Sequence, residues 1–285
     1  MATEAALYRR AGTHPNLVRL YGVSYFQPSP PPPLPPSQEG QECLVASYAR
    51  YGSLDNVLAE LSEPNDSGCY HHQRRRLPLS LGEKLTVAHQ IACGMQHLHT
   101  QGLIHRDLAP RNVLVVAMPS STDDYYAGQP DAPGNAWQVQ LTDYGLSKAG
   151  RVYYSSPENE NLPQLWMSPE ALKRRRFSAS ADVWAFGITL WELLNDGAFP
   201  YYMWAAQDSE VLRRVMCGET MPLDATVATA FEEHGPVGWG GGAEVVRLLR
   251  ACWGFEPAAR PDFATLEMAI AEVRGMLEDS WPGLH

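Results

Sequence analysis

The sequence predicts an α+β fold, with strands in short runs and helices the main element. Three observations carry that expectation. Strand-like patterning falls in 14–23 and 43–46 near the start and in 139–142 in the middle. Apolar residues then recur at helical spacing over 81–98, at Leu85, Ala88, Ile91, Ala92, Met95 and Leu98. Residues 180–192 are apolar all round, the pattern of a helix buried on every side. With 285 residues and 45% hydrophobic composition the chain can bury a full core, as one large domain or two lobes.

Taken in order, residues 1–13 read as a short helix with Ala5, Ala6, Leu7 and Ala11 apolar, ended by Gly12. Residues 14–23 turn the chain into a strand. Residues 27–42 are Pro-rich and expected to form solvated polyproline II. A plain loop is the favoured reading there, with an SH3-type ligand as the alternative, and no Arg flanks the run. Residues 43–46 read as a short buried strand. Residues 62–79 contain Arg74-Arg75-Arg76 and read as a solvated insert, with a docking patch as the minority alternative. A second low-complexity insert covers 118–136, and a glycine-rich one 235–242. The run Lys173-Arg174-Arg175-Arg176 is most simply a solvated basic turn.

Bulk charge narrows the function classes. A formal net charge of −10 argues against a dedicated nucleic-acid binder, which needs a basic surface for phosphates. Cys43, Cys69, Cys93, Cys217 and Cys252 are odd in number and without metal spacing, so they read as reduced thiols in a cytosolic compartment. Glu4, Arg9 and Arg10 interrupt any early apolar run, so no signal peptide is expected. No uncharged apolar stretch approaches the ~20 residues of a membrane span.

The chemistry concentrates in His105-Arg106-Asp107-Leu108-Ala109-Pro110-Arg111-Asn112. Asp107 offers a carboxylate to orient an attacking hydroxyl, and the amide oxygen of Asn112, five residues on, suits a hard cation. Downstream come Asp143-Tyr144-Gly145, then Leu162-Pro163-Gln164-Leu165-Trp166-Met167-Ser168-Pro169-Glu170, then Asp182-Val183-Trp184 in the apolar helix. The last motif is Cys252-Trp253, with Pro257, Arg260-Pro261 and Phe263. In this order the motifs resemble the protein kinases, and specifically the tyrosine kinase group.

The resemblance implies a two-lobe kinase fold and ATP and Mg²⁺ as cofactors. A remnant of the small lobe would cover 1–48 and a helical large lobe 49–285. Asp107, Arg111 and Asn112 would be catalytic, with Arg111 meeting the γ-phosphate and Asn112 and Asp143 holding Mg²⁺. Ala46 would be the gatekeeper, the backbone of Ser47 and Ala49 would face the adenine, and Leu114 would complete the nucleotide site. Tyr154, twelve residues before Trp166, would be the phosphorylated tyrosine, with Arg106 its partner and Tyr153 secondary; exposed loop aromatics are the alternative. Asp182 would accept backbone N–H bonds from the catalytic loop, or merely cap its helix. Glu170 and Arg260 would form a buried bridge. Glu4 would be the acidic residue of the family's helix C, or a first-turn Glu favoured by the helix dipole.

The departures matter equally. The family's Gly-rich loop and paired lysine should precede helix C, yet the lysines are Lys84, Lys148 and Lys173. Glu4 therefore has no lysine partner in this sequence, and the small lobe is expected to be truncated. Ala109 replaces the lysine of serine/threonine kinases, whereas Pro110 and Leu165 are less typical of tyrosine kinases. The expected function is transfer of the ATP γ-phosphate to protein tyrosine, in the cytoplasm or as the intracellular part of a longer protein. The alternatives are a pseudokinase or kinase fragment acting as an interaction module, and a tyrosine-kinase-like enzyme acting on Ser or Thr.

Overall fold

The apolar run near residue 180 forms the centre of the molecule. In the computed structural model it becomes helix α5 (Ala179–Leu194), and every residue from 181 to 194 is buried. The structure describes residues 2–26, 41–62, 79–119, 136–143, 148–149, 152–154, 162–204, 206–223 and 241–280. Helices α1 (Ala2–Ala11), α2 (Leu54–Ser62), α3 (Leu81–Thr100), α4 (Pro169–Arg174), α6 (Asp208–Met216), α7 (Gly241–Cys252) and α8 (Phe263–Ser280) complete the set among these residues. Helix α3 packs on both α5 and α8, and α7 closes against α5 and α8. Side chains such as Trp191, Phe263, Ile270 and Leu85 are at most 1% exposed there. Each large apolar side chain so buried contributes about 1.5–3 kcal/mol.

Local chemistry sets the ends of these helices. Ser80 and Glu83 form a reciprocal capping box that starts α3. Gly12, at φ +71°, takes the chain out of α1 in the left-handed region that favours glycine. Lys84, at 3% exposure, donates to the Leu194 carbonyl (3.0 Å) and pairs with Asp196 (2.8 Å). Its charge thus sits on the negative end of α5.

The strands form antiparallel pairs: β1 (Leu20–Phe26) with β2 (Gln41–Ala46), β3 (Leu103–Ile104) with β6 (Lys148–Ala149), β4 (Val113–Ala117) with β5 (Gln138–Leu141), and β7 (Val152–Tyr154) with β8 (Arg176–Ser178). The expectation of a buried strand over 43–46 is corrected here. β2 begins at Gln41, and Val45 and Ala46 are exposed. On β1, Tyr21, Val23 and Tyr25 point outward in period-2 alternation, so one face of the ribbon is open. Among the described residues no second layer covers it.

Asn16 docks this ribbon onto the helical body. Its side-chain amide donates to Gln90 Oε1 (2.9 Å) on α3 and to the Val139 carbonyl (3.0 Å) on β5. Its own carbonyl accepts from Leu141 N–H at 2.9 Å. Gly94 permits the approach, since a Cβ there would lie 2.9 Å from the Asn16 oxygen. Most of the inserts at 27–42, 62–79, 118–136 and 235–242, including the SH3-type candidate and Arg74–76, lie outside the described residues, as does Cys69.

Candidate active site

The loop between β3 and β4 is anchored from below by Asp182, on the first turn of α5. Asp182 is 2% exposed, yet three donors meet it. Its Oδ2 accepts from His105 N–H and from His99 Nε2, both at 2.8 Å, and its Oδ1 accepts from Arg106 N–H at 2.9 Å. A buried carboxylate is stable only with such donors, and each charge-assisted bond is roughly twice as strong as a neutral one. They hold Arg106 at φ +74°, a conformation that costs a non-glycine residue about 1–3 kcal/mol. Of the two readings of Asp182, the geometry follows the loop-binding one; two of its bonds go to the loop and the third to His99 on α3, none to its own helix.

His105 ties the same loop to the strand that follows. Its Nδ1 accepts from Asp107 N–H (3.3 Å), and its Nε2–H donates to the Thr142 carbonyl (3.2 Å). Only a neutral imidazole can accept with one nitrogen and donate with the other. Burial drives it to that form, against the opposite pull of Asp182, Asp107 and Asp143. A further bond from Thr142 N–H to the Asn112 carbonyl (3.0 Å) fastens residue 142, and with it Asp143, beside the loop.

Within the loop, Pro110–Asn112 form a single 3₁₀ turn. This turn brings Arg111 back onto Asp107, whose Oδ1 accepts from the guanidinium. Asn112 donates its amide N–H to the Asp107 carbonyl at 2.7 Å. Its amide oxygen therefore turns away from the loop as an acceptor. An amide oxygen and a carboxylate such as that of Asp143 are both hard-oxygen donors. Asp143 is exposed and at φ +61°, so its carboxylate lies on the open side of the strand end.

Arg111 connects this loop to an aromatic floor. Its guanidinium lies 4.6 Å from the Trp166 ring centroid, and Trp166 meets Phe199 edge-on at 6.2 Å. Trp166 Nε1–H donates to Glu192 Oε1 at 2.6 Å. Burial pushes the Glu192 carboxyl up to about 8, although the Trp166 N–H and the Arg111 charge both pull it down. Desolvation wins, and near neutral pH the group is predominantly the acid.

On the opposite side, the segment after β2 is tied to its neighbours at several backbone and side-chain atoms. Ser47 N–H donates to the Arg19 carbonyl (2.8 Å), and its hydroxyl accepts from Arg19 N–H (3.1 Å) and donates to Gln140 (3.2 Å). The Ala49 carbonyl accepts from Gly52 N–H at 3.4 Å. The Ser47 carbonyl and the Ala49 N–H carry no hydrogen bond among the described residues. Ala46 precedes them at the end of β2, and Leu114 bridges to Ser53 from β4.

The remaining candidates divide. Glu170 and Arg260 come together as a fork: Nη1 to Oε1 at 2.7 Å and Nη2 to Oε2 at 2.9 Å. Arg106 is 4% exposed, with its guanidinium over both Tyr153 (4.5 Å) and Phe177 (4.6 Å), which face each other across β7 and β8. Tyr154 lies on β7 opposite Arg176. Tyr144 and Gly145 lie outside the described residues. Glu4 is half-buried on α1.

One turn after Glu4 stands Tyr8, a residue the motif reading passed over. Its hydroxyl is hydrogen-bonded to the Thr142 side chain and to the Asp143 backbone, and burial raises its pKa. Its position four residues after Glu4, on the same helix face, was the available signal. Glu192 was equally missed, and there only the three-dimensional contact reveals it.

The family model for protein tyrosine and serine/threonine kinases matches residues 1–270. The chain is 30% identical over 277 residues to the fibroblast growth factor receptor of Ciona intestinalis, covering 93% of this chain and 30% of that protein. It is 30% identical over 278 residues to fibroblast growth factor receptor homolog 2 of Drosophila melanogaster (93% and 22% covered). It is 28% identical over 270 residues to fibroblast growth factor receptor 1 of Pleurodeles waltl (93% and 27%). The chain thus spans less than a third of the length of these relatives.

Proposed function

The chain belongs to the protein kinase family, in its tyrosine-kinase group, and from that premise we propose that it phosphorylates protein tyrosine at the Asp107 loop. The observation that carries the reading is the locked loop itself: Asp182, His105 and Asn112 hold Asp107 and Asp143 on one rigid frame. When bound, Mg–ATP supplies the phosphoryl donor with part of its charge neutralised. Asn112 Oδ1 and the Asp143 carboxylate would hold the metal. The Ser47 carbonyl and Ala49 N–H offer one acceptor and one donor, the complement of an adenine edge, with Ala46 and Leu114 beside them. Asp107 takes the hydroxyl proton of the substrate. Arg111 keeps its charge next to that carboxylate, and the Trp166–Phe199 floor supports a ring as long as a phenol.

In this reading residues 1–48 are the small-lobe portion, 49–285 the large lobe, and the site faces the cytoplasm, as the intracellular part of a longer protein would. Two of the three lysines are engaged away from the nucleotide: Lys84 is consumed at the end of α5, and Lys173 lies over Phe255 at 5.2 Å. The phosphate-gripping cation would then be a group other than these two. Without it the same helical body is an interaction module, and that is the second reading.

Nucleotide calorimetry and a peptide phosphorylation assay separate the two. The 285-residue chain should bind Mg–ATP weakly and turn over well below the ~1–100 s⁻¹ of ordinary kinases. Asp143→Asn should remove the Mg²⁺ dependence of binding, and Asp107→Asn should abolish turnover while leaving binding. Nucleotide binding that ignores Asp143→Asn overturns the site. Phosphoserine as the main product overturns the tyrosine assignment.

A further inference from the structure

Away from the cleft, the seam between α3 and α8 gathers three half-buried side chains that phosphoryl transfer does not use. His89 and Cys93 stand one turn apart on α3, so both point the same way. Glu267 reaches the same spot from α8, and one ligand atom from each residue lies within 4.8 Å of the others. We propose that His89, Cys93 and Glu267 form a zinc-binding site that ties α3 to α8, independent of the kinase reading.

Geometry is the first argument. Tetrahedral zinc with Zn–S of about 2.3 Å and Zn–N of about 2.0–2.1 Å sets sulfur and nitrogen about 3.6 Å apart. Cys93 Sγ is 3.7 Å from His89 Nδ1 and 3.9 Å from Nε2. An imidazole–thiol pair is therefore already at the edge length of a zinc tetrahedron. Donor chemistry is the second argument. One thiolate, one imidazole and one carboxylate suit zinc, whereas Mg²⁺ and Ca²⁺ need oxygen ligands throughout. Three protein ligands leave a fourth position for water, which is the open form of a zinc site.

The supporting frame is rigid. Phe263, Leu266 and Ile270 are fully buried on α8, and Ala88, Ile91, Ala92 and Met95 on α3, so the ligands stand on packed helices. Two features oppose the metal and bound its affinity. Arg274 on α8 is the nearby cation, facing both His89 and Cys93, though it also pairs with Glu278 at 3.6 Å. Burial and Glu267 push the Cys93 thiol up to about 11, so zinc has to displace a proton from sulfur. Further along α3, His97 is held by the Ala11 carbonyl (2.7 Å) and stacked on His14 (4.8 Å), so it remains structural.

The test uses the metal-free 285-residue chain, titrated with Zn²⁺ against a chromophoric chelator and with Co²⁺ followed in the near ultraviolet. Thiolate-to-cobalt charge transfer reports sulfur coordination directly. One equivalent per chain is expected, with the cobalt band lost in Cys93→Ala. His89→Ala and Glu267→Gln should each weaken zinc by roughly tenfold or more. Cys69, His71 and His72 lie outside the described residues, so Cys69→Ala/His71→Ala/His72→Ala must keep the band. Should a variant fail to fold, alkylation of the parent decides: zinc must slow labelling of Cys93, read on its tryptic peptide. No cobalt band, a band that survives Cys93→Ala, or labelling of Cys93 indifferent to zinc overturns the site.

Discussion

Replacing Arg260 by alanine should be among the most damaging single substitutions in the helical body. The guanidinium is fully buried and makes four good bonds: two to Glu170, one to the Gly254 carbonyl (2.7 Å) and one to the Ser180 carbonyl (2.8 Å). It also lies 5.1 Å from the Trp184 ring centroid. Arg260→Ala leaves the Glu170 carboxylate, 11% exposed, without its partner and strands two carbonyls. Breaking a buried pair from one side costs about 3–5 kcal/mol. At roughly 2–4 °C per kcal/mol for a domain of this size, the melting temperature should fall by about 6–20 °C. Glu170→Ala should cost less, because Arg260 keeps both carbonyls and Glu170 is nearer to water. Glu170→Gln, which retains one acceptor, should cost least. The double variant Glu170→Leu/Arg260→Met should be more stable than Arg260→Ala alone, since no buried charge is orphaned. Urea unfolding followed by tryptophan fluorescence measures all four. Single variants that melt like the parent, or a double variant whose loss is the sum of the singles, would refute the reasoning.

Two further outcomes follow from particular contacts. Glu192 has its pKa raised from 4.5 to about 8, so between those values the folded chain holds a proton that the unfolded chain has released. Stability should therefore fall as pH rises through that window, by up to roughly 1.4 kcal/mol per unit. Glu192→Gln should melt like the parent near pH 4 and above it at pH 9; parallel pH profiles would sink the idea. For regulation, we propose Tyr154 as the phosphosite, since a phosphate needs a cation and Arg176 is its cross-strand partner, with Arg106 seated against the neighbouring Tyr153. In an active kinase that includes this chain, Tyr154→Phe should lose more activity than Tyr153→Phe, and equal losses in a kinase assay would reject the assignment.

What could be read from the sequence was what the chain repeats as local grammar. The capping pair Ser80–Glu83, Gly12 after α1 and the apolar run of α5 each state their structure within a few residues, and the three elements form where their patterns lie. The long-range pair Glu170–Arg260 was legible for another reason: both members sit in motifs. Tyr8, Asn16, Lys84 and Glu192 carry no such mark. Lys84 meets its carbonyl 110 residues on, and Asn16 its own 123 residues on, and nothing in either neighbourhood announces the partner.

The strand expected over 43–46 departs from the structure for a physical reason. A strand was expected to be buried at 43–46 because its residues are apolar, but burial depends on what lies over a face, and the outer face of the β1–β2 ribbon is open among the described residues. For Arg106, expected to partner a phosphate on Tyr154, the unphosphorylated chain seats the guanidinium on the rings of Tyr153 and Phe177. The two cation–π contacts are worth about 0.5–2 kcal/mol each, and a hydrogen bond to a charged group about 1.5–3 kcal/mol. A phosphate on β7 therefore has to make at least two such bonds to draw Arg106 off its aromatic seat. The backbone of Arg106 would stay where Asp182 holds it, so only the side chain has to move.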